Sequence, residues 1–401
     1  MSYKTTVPND VKEVTIYATA VDAKAKIKGA GKVSLKEGKN EAKVVVKAED
    51  GKTTKTYTIE ITREVAKQEE KVEEQKEVVA ENEEDTYFRF LRFSLGLYDG
   101  KEFLSGEALV NFDWNAFYHF CKRQTLVGVV FEGIQRLPKE AAPNQDLLMT
   151  WFGQTQRIHK RNILLNEATV QIYHKIRTEG IRCCILKGQG NALMYPNPAS
   201  RTPGDVDVWV NAERDDIRPL ACSLVGGNGV VGKESLNHIE LSVNGVAVEL
   251  HHTPAIMNNP LYNYRLQKWL RRNADLQCSN IVSLPDEAGD IAMPTSAFNA
   301  VYQLFHLYHH YFYEGVGLRQ IVDYYLVING LPQMAQMNAD FIAWKEELKN
   351  LGLWKFAGAV MYVLHKVLDM PENKMIVPMD VKRGNLLLDE ILQGGNFGQF
   401  N

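Results

Sequence analysis

The chain has 401 residues, 45% of them hydrophobic and 24% charged, with a formal net charge of −3. That is the profile of an ordinary soluble globular protein with room for two or three domains. It excludes a general attraction to nucleic acid or to an anionic membrane, and no stretch approaches the roughly 18 uninterrupted apolar residues of a membrane span.

The first residues, MSYKTTVPNDVKEVTIYATA, lack the apolar segment of a secretion signal. Residues 11–63 then alternate with period two in EVTIYATAV, EAKVVVKAE and KTYTIEITRE. Turn signals separate these runs at Glu37-Gly38-Lys39-Asn40 and at Asp50-Gly51, the second a strong hairpin cue. The pattern predicts a small antiparallel β-sandwich over 1–64, with no histidine and no clustered carboxylates to give it chemistry. From Glu64 to Asp85 the chain carries ten acidic residues against three lysines, without a continuous apolar stripe. Residues 65–86 therefore read as an acidic linker or solvated helix.

From Tyr87 the composition turns to aromatic-rich helices, over 87–180 and 256–401, around one α/β segment at 181–255. NILLNEATVQIYHKIRTEG has helical spacing and stops at Gly180. A short strand, IRCCIL, leads into the turn KGQG. The paired Cys183 and Cys184 lie in this apolar run. Five scattered cysteines read as buried thiols, not as a disulfide framework or zinc site. A reducing, cytoplasmic compartment follows as the expectation.

After a proline-broken loop comes GDVDVWV. Along a strand, alternate residues face opposite sides. Val206, Val208 and Val210 thus share one face, and Asp205, Asp207 and Trp209 share the other. Two carboxylates at about 4 Å repel by about 4 kcal/mol at an effective dielectric of about 20, unless a proton or cation lies between them. Alone, the pattern fits a half-exposed acidic edge strand equally well. Further on, HIELSV-NG-VAVELHH is a hairpin signal that places Glu249 and His251 on one face of its second arm. Beside the aspartate strand, Glu249 would complete a three-carboxylate patch suited to a hard cation such as Mg²⁺. Lys187, with the backbone of the Gly-bearing turn, and Arg201 are candidates for a phosphate chain. In the long helix expected over Ala297–Ile328, His306 and His310 stand four apart, a spacing found in metal sites and commoner among hydrogen-bonded helix histidines.

This ordered set resembles the nucleotidyltransferase core of the DNA polymerase β-like superfamily: a strand, a Gly turn with helix, an h-D-h-D-h strand (h, apolar) and a later h-E-h strand. Within that superfamily it resembles one branch in particular, the uncharacterised nucleotidyltransferase family common in gut Bacteroidetes. The shared motifs are LKGQG at 186–190, YPNP at 195–198, RTPGDVDVW at 201–209, GVAVELH at 245–251, EGVGLRQIVDYY at 314–325 and a terminal GGNFG. The resemblance spans about 87–401 and implies an α+β fold, a nucleotidyltransferase core wrapped by helices. It also implies transfer of a nucleoside monophosphate from an NTP, with release of pyrophosphate and with Mg²⁺ or Mn²⁺ on Asp205, Asp207 and Glu249. Lys187, Gly188, Gln189, Gly190, Arg201 and Gly204 would hold the nucleotide. His251, His306, His310, Arg319 and Asp323 would serve an acceptor pocket or support the site, with His238 ranking behind them. KGQG departs from the superfamily's usual G-[GS] turn, and further helix is expected beyond GGNFG. The acceptor is open: small molecule, sugar, peptide or protein. Alternatives are a degenerate nucleotide-binding or interaction module and a regulator that nucleotidylates proteins.

Residues 11–63 resemble a cadherin-like β-sandwich domain, including its close DGKTTKTYTIEITR at 50–63. Such domains belong mostly to bacterial surface proteins. Joined to a cytoplasmic NTP-using enzyme, the sandwich implies a gene fusion, an assembled chain or an unusual natural architecture.

Overall fold

A computed structural model describes residues 2–64, 83–226, 229–331 and 339–395. Most of the acidic stretch at 65–86, and the end of the GGNFG element, lie outside the described residues. The chain divides into two units, 1–80 and 81–401.

Among its described residues the first unit is all β: β1 (Ser2–Val7), β2 (Glu13–Ile16), β3 (Lys26–Lys28), β4 (Gly31–Ser34), β5 (Gly38–Lys47) and β6 (Thr54–Arg63). Strands β1-β6-β5-β3 form one sheet and β2-β4 the other. The β5–β6 hairpin turns at Asp50, whose carboxylate accepts hydrogen bonds from the Lys52 and Thr53 N–H groups at 2.9 and 2.8 Å. The expected all-antiparallel arrangement needs correction, because β1 runs parallel to β6, pairing Ser2 with Thr58 and Val7 with Arg63. Alternation along a strand marks its faces and not its partner, so the sequence is silent on this. Glu37–Asn40 is also not a free turn: Gly38 opens β5, and the Asn40 side chain bridges back to the Lys36 backbone. Leu35, Ala42, Val44 and Ile61 form the small core.

The second unit opens with helices α1 (Glu83–Ser94), α2 (Lys101–Leu104), α3 (Trp114–Arg123), α4 (Val127–Ile134) and the 34-residue α5 (Gln145–Thr178). Asn144 caps α5 by accepting from the Leu147 N–H, and Gly180, at φ 77°, ends it. Then come β7 (Cys183–Leu186), α6 (Gly188–Ala192), β8 (Val206–Val210), α7 (Arg214–Val225), β9 (Val230–Glu234), β10 (His238–Val243) and β11 (Val246–His251). They build one sheet in the order β7-β8-β11-β10-β9. Asn244 and Gly245 turn β10 into β11 with φ of 51° and 77°, the left-handed pair that a type I′ turn requires. The chain continues through α8 (Pro260–Gln277), β12 (Ile281–Leu284), β13 (Gly289–Ala292), α9 (Ser296–Tyr313), α10 (Leu318–Asn329), α11 (Ala339–Asn350), α12 (Trp354–Leu368) and α13 (Val381–Gly394).

The sheet separates two cores. Cys183, Ile185, Val206, Val208, Val210, Val248 and Leu250 pack with α5 and α7 residues such as Ile172, Ile176, Ile217 and Leu220. Each such buried aliphatic side chain stabilises the fold by roughly 1.5–3 kcal/mol. Cys184, Leu186 and Trp209 face the other way, into the helical core, where Trp209 stacks on Phe298 at 5.8 Å between ring centroids. All five cysteines are free, four buried and Cys222 exposed on α7. The helix expected over 297–328 is two helices, α9 and α10. Gly315, at φ 96°, breaks the backbone between them, and Gly317 caps α10. That break bends the chain around the site.

Candidate active site

Strand β11 lies parallel to β8 with Glu249 opposite Asp207 and His251 opposite Trp209. The valines of both strands turn into the α5–α7 core, which forces Asp207, Glu249 and His251 onto the opposite face. Asp205 stands just before β8, at the rim of the cavity. One carboxylate oxygen from each of Asp205, Asp207 and Glu249 falls within 4.8 Å of the other two. The patch opens on a cavity of about 350 Å³, a size ordinary for a small-ligand site.

Lys187 reaches the patch from the end of β7. Its backbone is left-handed, φ 50°, and so is that of Gly188, φ 43°. This reversal carries a strain of roughly 1–3 kcal/mol for the lysine and turns the chain into α6. The Lys187 ammonium sits 3.0 Å from Asp207 Oδ2, while His251 Nε2 lies 3.0 Å from Asp207 Oδ1 and 3.1 Å from Glu249 Oε2. On its other side the Lys187 ammonium lies 3.4 Å from the His306 ring nitrogens. The His306 and His310 rings meet edge to face at 4.0 Å, and His310 Nδ1 is 2.8 Å from Glu314 Oε2.

Charge and burial set the protonation. The neighbouring Asp207 charge, then burial, push the Asp205 carboxyl up to about 6. Burial also opposes ionisation of Asp207, but Lys187 and the His251 hydrogen bond outweigh it and hold that carboxyl well below the usual range. Burial likewise works against the Lys187 charge, and Asp207 more than restores it. For Glu249, burial is overcome by the hydrogen bond with His251, so it stays ionised. Burial and the nearby Lys187 drive the His306 imidazole well below its ordinary value, leaving it neutral at neutral pH.

A second polar network forms the cavity's far wall. Arg201 donates from Nε and Nη2 to the two Asp323 oxygens at 2.8 and 2.7 Å, and the Tyr195 hydroxyl donates to Asp323 Oδ1 at 2.7 Å. Arg319 Nη1 donates to the Thr202 carbonyl at 3.0 Å. Arg201 Nη1 and Arg319 Nε are buried with no protein partner. A buried guanidinium N–H left so is costly, and an anion in the cavity would satisfy it.

Of the residues singled out from sequence, Asp205, Asp207, Glu249, Lys187, Gly188, Arg201, Gly204, His251, His306, His310, Arg319 and Asp323 all line this cavity. Gln189 and Gly190 do not. Gln189 turns inward to the Asn166 and Asn162 side chains, and Gly190 packs against Met293. Arg201, read as a triphosphate contact, has two of its nitrogens committed to Asp323. Sequence reasoning missed Tyr302 and Glu314 on the cavity wall. The signal was present: Tyr302, His306, His310 and Glu314 recur every four residues, one stripe of α9 and its C-terminal cap.

Residues 111–369, more than half of the chain, match the family described as uncharacterised nucleotidyltransferase. The chain belongs to that family. Residues 1–64 match the cadherin-like beta sandwich domain. Both resemblances read from the motifs are thereby borne out, the first over a narrower span than 87–401. No curated protein matches. The crystal structure of an antigenic nucleotidyltransferase-like protein from Paracoccidioides brasiliensis aligns at 17% identity, over 54% of this chain and 94% of that one. Its TM-score of 0.31 is too low to bear on fold or function. No helix among the described residues is long and apolar enough to cross a membrane.

Proposed function

We propose that the unit of residues 81–401 is a cation-dependent nucleotidyltransferase that moves a nucleoside monophosphate from an NTP to an acceptor hydroxyl, releasing pyrophosphate. The observation that carries this reading is the convergence of Asp205, Asp207 and Glu249 within 4.8 Å at the mouth of a cavity walled by Lys187, Arg201 and Arg319. The donor set fits Mg²⁺ or Mn²⁺: it is all oxygen, and Asp205 resists ionisation because Asp207 stands beside it. Asp205, Asp207 and Glu249 would hold the ion, which when bound neutralises charge on the transferring phosphate. Lys187, Arg319 Nε and Arg201 Nη1 orient the phosphate chain and neutralise its charge. Glu249 Oε2 is engaged by His251 at 3.1 Å, and Oε1, with His238 Nε2 at 3.9 Å, is the oxygen that takes the acceptor proton. Pyrophosphate leaves toward the arginines. Catalysis of this kind is positioning plus electrostatic stabilisation, with little covalent work for the protein.

Calorimetric titration of ATP, GTP, CTP and UTP, each with Mg²⁺ and with EDTA, tests the donor half. Metal-dependent binding of one nucleotide, lost in Asp205→Asn with Asp207→Asn, is expected. Binding indifferent to metal and to both substitutions would leave an interaction module instead. A labelled-NTP transfer assay on a broad extract then seeks the acceptor, be it small molecule, sugar, peptide or protein.

A further inference from the structure

The register of β8, β11 and β10 lays two rows of side chains across the sheet. In the first row Asp207, Glu249 and Glu240 stand opposite one another; in the second, Trp209, His251 and His238. The carboxylate site uses the first row. In the second, His251 Nε2 lies 3.1 Å from Glu249 Oε2 and His238 Nε2 lies 3.9 Å from Glu249 Oε1. The two rings are 4.9 Å apart, and one ligand atom from each of the three residues falls within 4.8 Å of the others.

Proton supply at this point is too small for the acceptors. His251 Nε2 can carry a single N–H, yet both Asp207 Oδ1 and Glu249 Oε2 stand within 3.1 Å of it. The Nδ1 atoms of His238 and His251 are buried and make no hydrogen bond, so both rings direct their polar contacts through Nε2 toward Glu249. A divalent cation held by His238, Glu249 and His251 would take the place of that one shared proton, while Asp207 keeps its contact with Lys187.

We infer that His238, Glu249 and His251 form a second cation site, for a first-row transition metal, which shares Glu249 with the carboxylate site. Two imidazoles and one carboxylate suit Zn²⁺, Co²⁺ or Mn²⁺, whereas an all-oxygen set suits Mg²⁺. All three residues line the cavity, so the remaining coordination positions face the space a substrate would fill. The site is therefore of the open kind and not a closed structural one. Ligating histidines usually donate their second N–H to an acceptor, and loss of such a partner weakens affinity by about 10–100-fold. With no acceptor at either Nδ1, this site should bind more weakly than a braced zinc centre. The inference stands on the imidazoles and Glu249 alone and does not require nucleotidyl transfer.

The test uses the full chain, without a polyhistidine tag and stripped with EDTA. Zn²⁺ binding is measured by competition with a chromophoric chelator, Co²⁺ binding by its visible absorption, and Mg²⁺-dependent nucleotide binding by calorimetry. His238→Gln is expected to weaken Zn²⁺ and Co²⁺ about tenfold or more, and to weaken them more than it weakens Mg²⁺-dependent nucleotide binding. Asp205→Asn is expected to do the reverse, so failure of this site and failure of the carboxylate site are told apart. Unchanged Zn²⁺ affinity in His238→Gln would overturn the inference. A readout on the wild type guards against a variant that misfolds: in chain labelled with ¹⁵N-histidine, Zn²⁺ should shift the ring nitrogens of two of the ten histidines. No shifted histidine would overturn it as well.

Discussion

In the sandwich, Lys32 meets Glu13 at 2.8 Å with 75% and 44% of the two side chains exposed. In the larger unit, Arg201 meets Asp323 at 2.7 Å with only 4% and 6% exposed. The distances are alike and the energetics are not. An exposed pair gains little over hydrated ions, because water and salt screen it. A buried pair has already lost its hydration, and the attraction roughly repays that loss only while both partners are present. Surface pairs of the first kind recur on the sandwich, while Lys187–Asp207 and Arg201–Asp323 both wall the cavity. Buried charge in this protein therefore marks the place where charge is used, and the sandwich shows what the same side chains do when they have no such task.

The largest effect should come from breaking the buried pair from one side. Asp323→Ala leaves the Arg201 guanidinium uncompensated and is expected to cost about 3–5 kcal/mol. Urea unfolding followed by tryptophan fluorescence reads this cleanly, since all six tryptophans lie between 114 and 354, in the larger unit. A cost under about 1 kcal/mol would contradict the contrast drawn above. Next, Asp207→Asn removes the partner of both Lys187 and His251 at the proposed cation site. Turnover in the transfer assay should fall on the order of 10²–10³-fold, and full retained activity would remove Asp207 from the mechanism.

The third effect is one of pH. Asp205 holds its proton up to about 6, so a cation must displace that proton at lower pH. Mg²⁺ affinity is expected to fall about tenfold per pH unit below that value and to level off above it. In the metal-free protein the sign is opposite. A carboxyl raised above its unfolded value contributes stability at low pH, and that contribution is lost as pH rises through about 6. Calorimetric titrations and melting curves at several pH values check the two halves separately. The smallest effect belongs to the sandwich: Lys32→Ala should cost no more than about 1 kcal/mol by scanning calorimetry.

The alternation around Asp207 and Glu249 and the Asn244-Gly245 turn are local, and both strands were legible from them. Their adjacency, which brings the carboxylates together, was an inference across some 40 positions that only the motif order supported, and their parallel direction left no trace in the sequence. Other features left no local trace. The parallel addition of β1 to β6 depends on a partner more than 50 residues away, and the Arg201–Asp323 pair spans 122 positions. The inward turn of Gln189 depends on Asn162 and Asn166 of α5, not on its own neighbours. The break at Gly315 was the opposite case. Its glycines were in plain view, but strong apolar periodicity on both sides hid a change of direction.

Cys222 has a practical bearing. It lies on α7, which packs against the sheet face opposite the cavity, and it is the single exposed thiol among the five cysteines. The other four are shielded, and burial holds them protonated. A maleimide dye should therefore attach at one position of the unaltered chain. The tag would report tumbling and association in solution while leaving the nucleotide side of the sheet untouched.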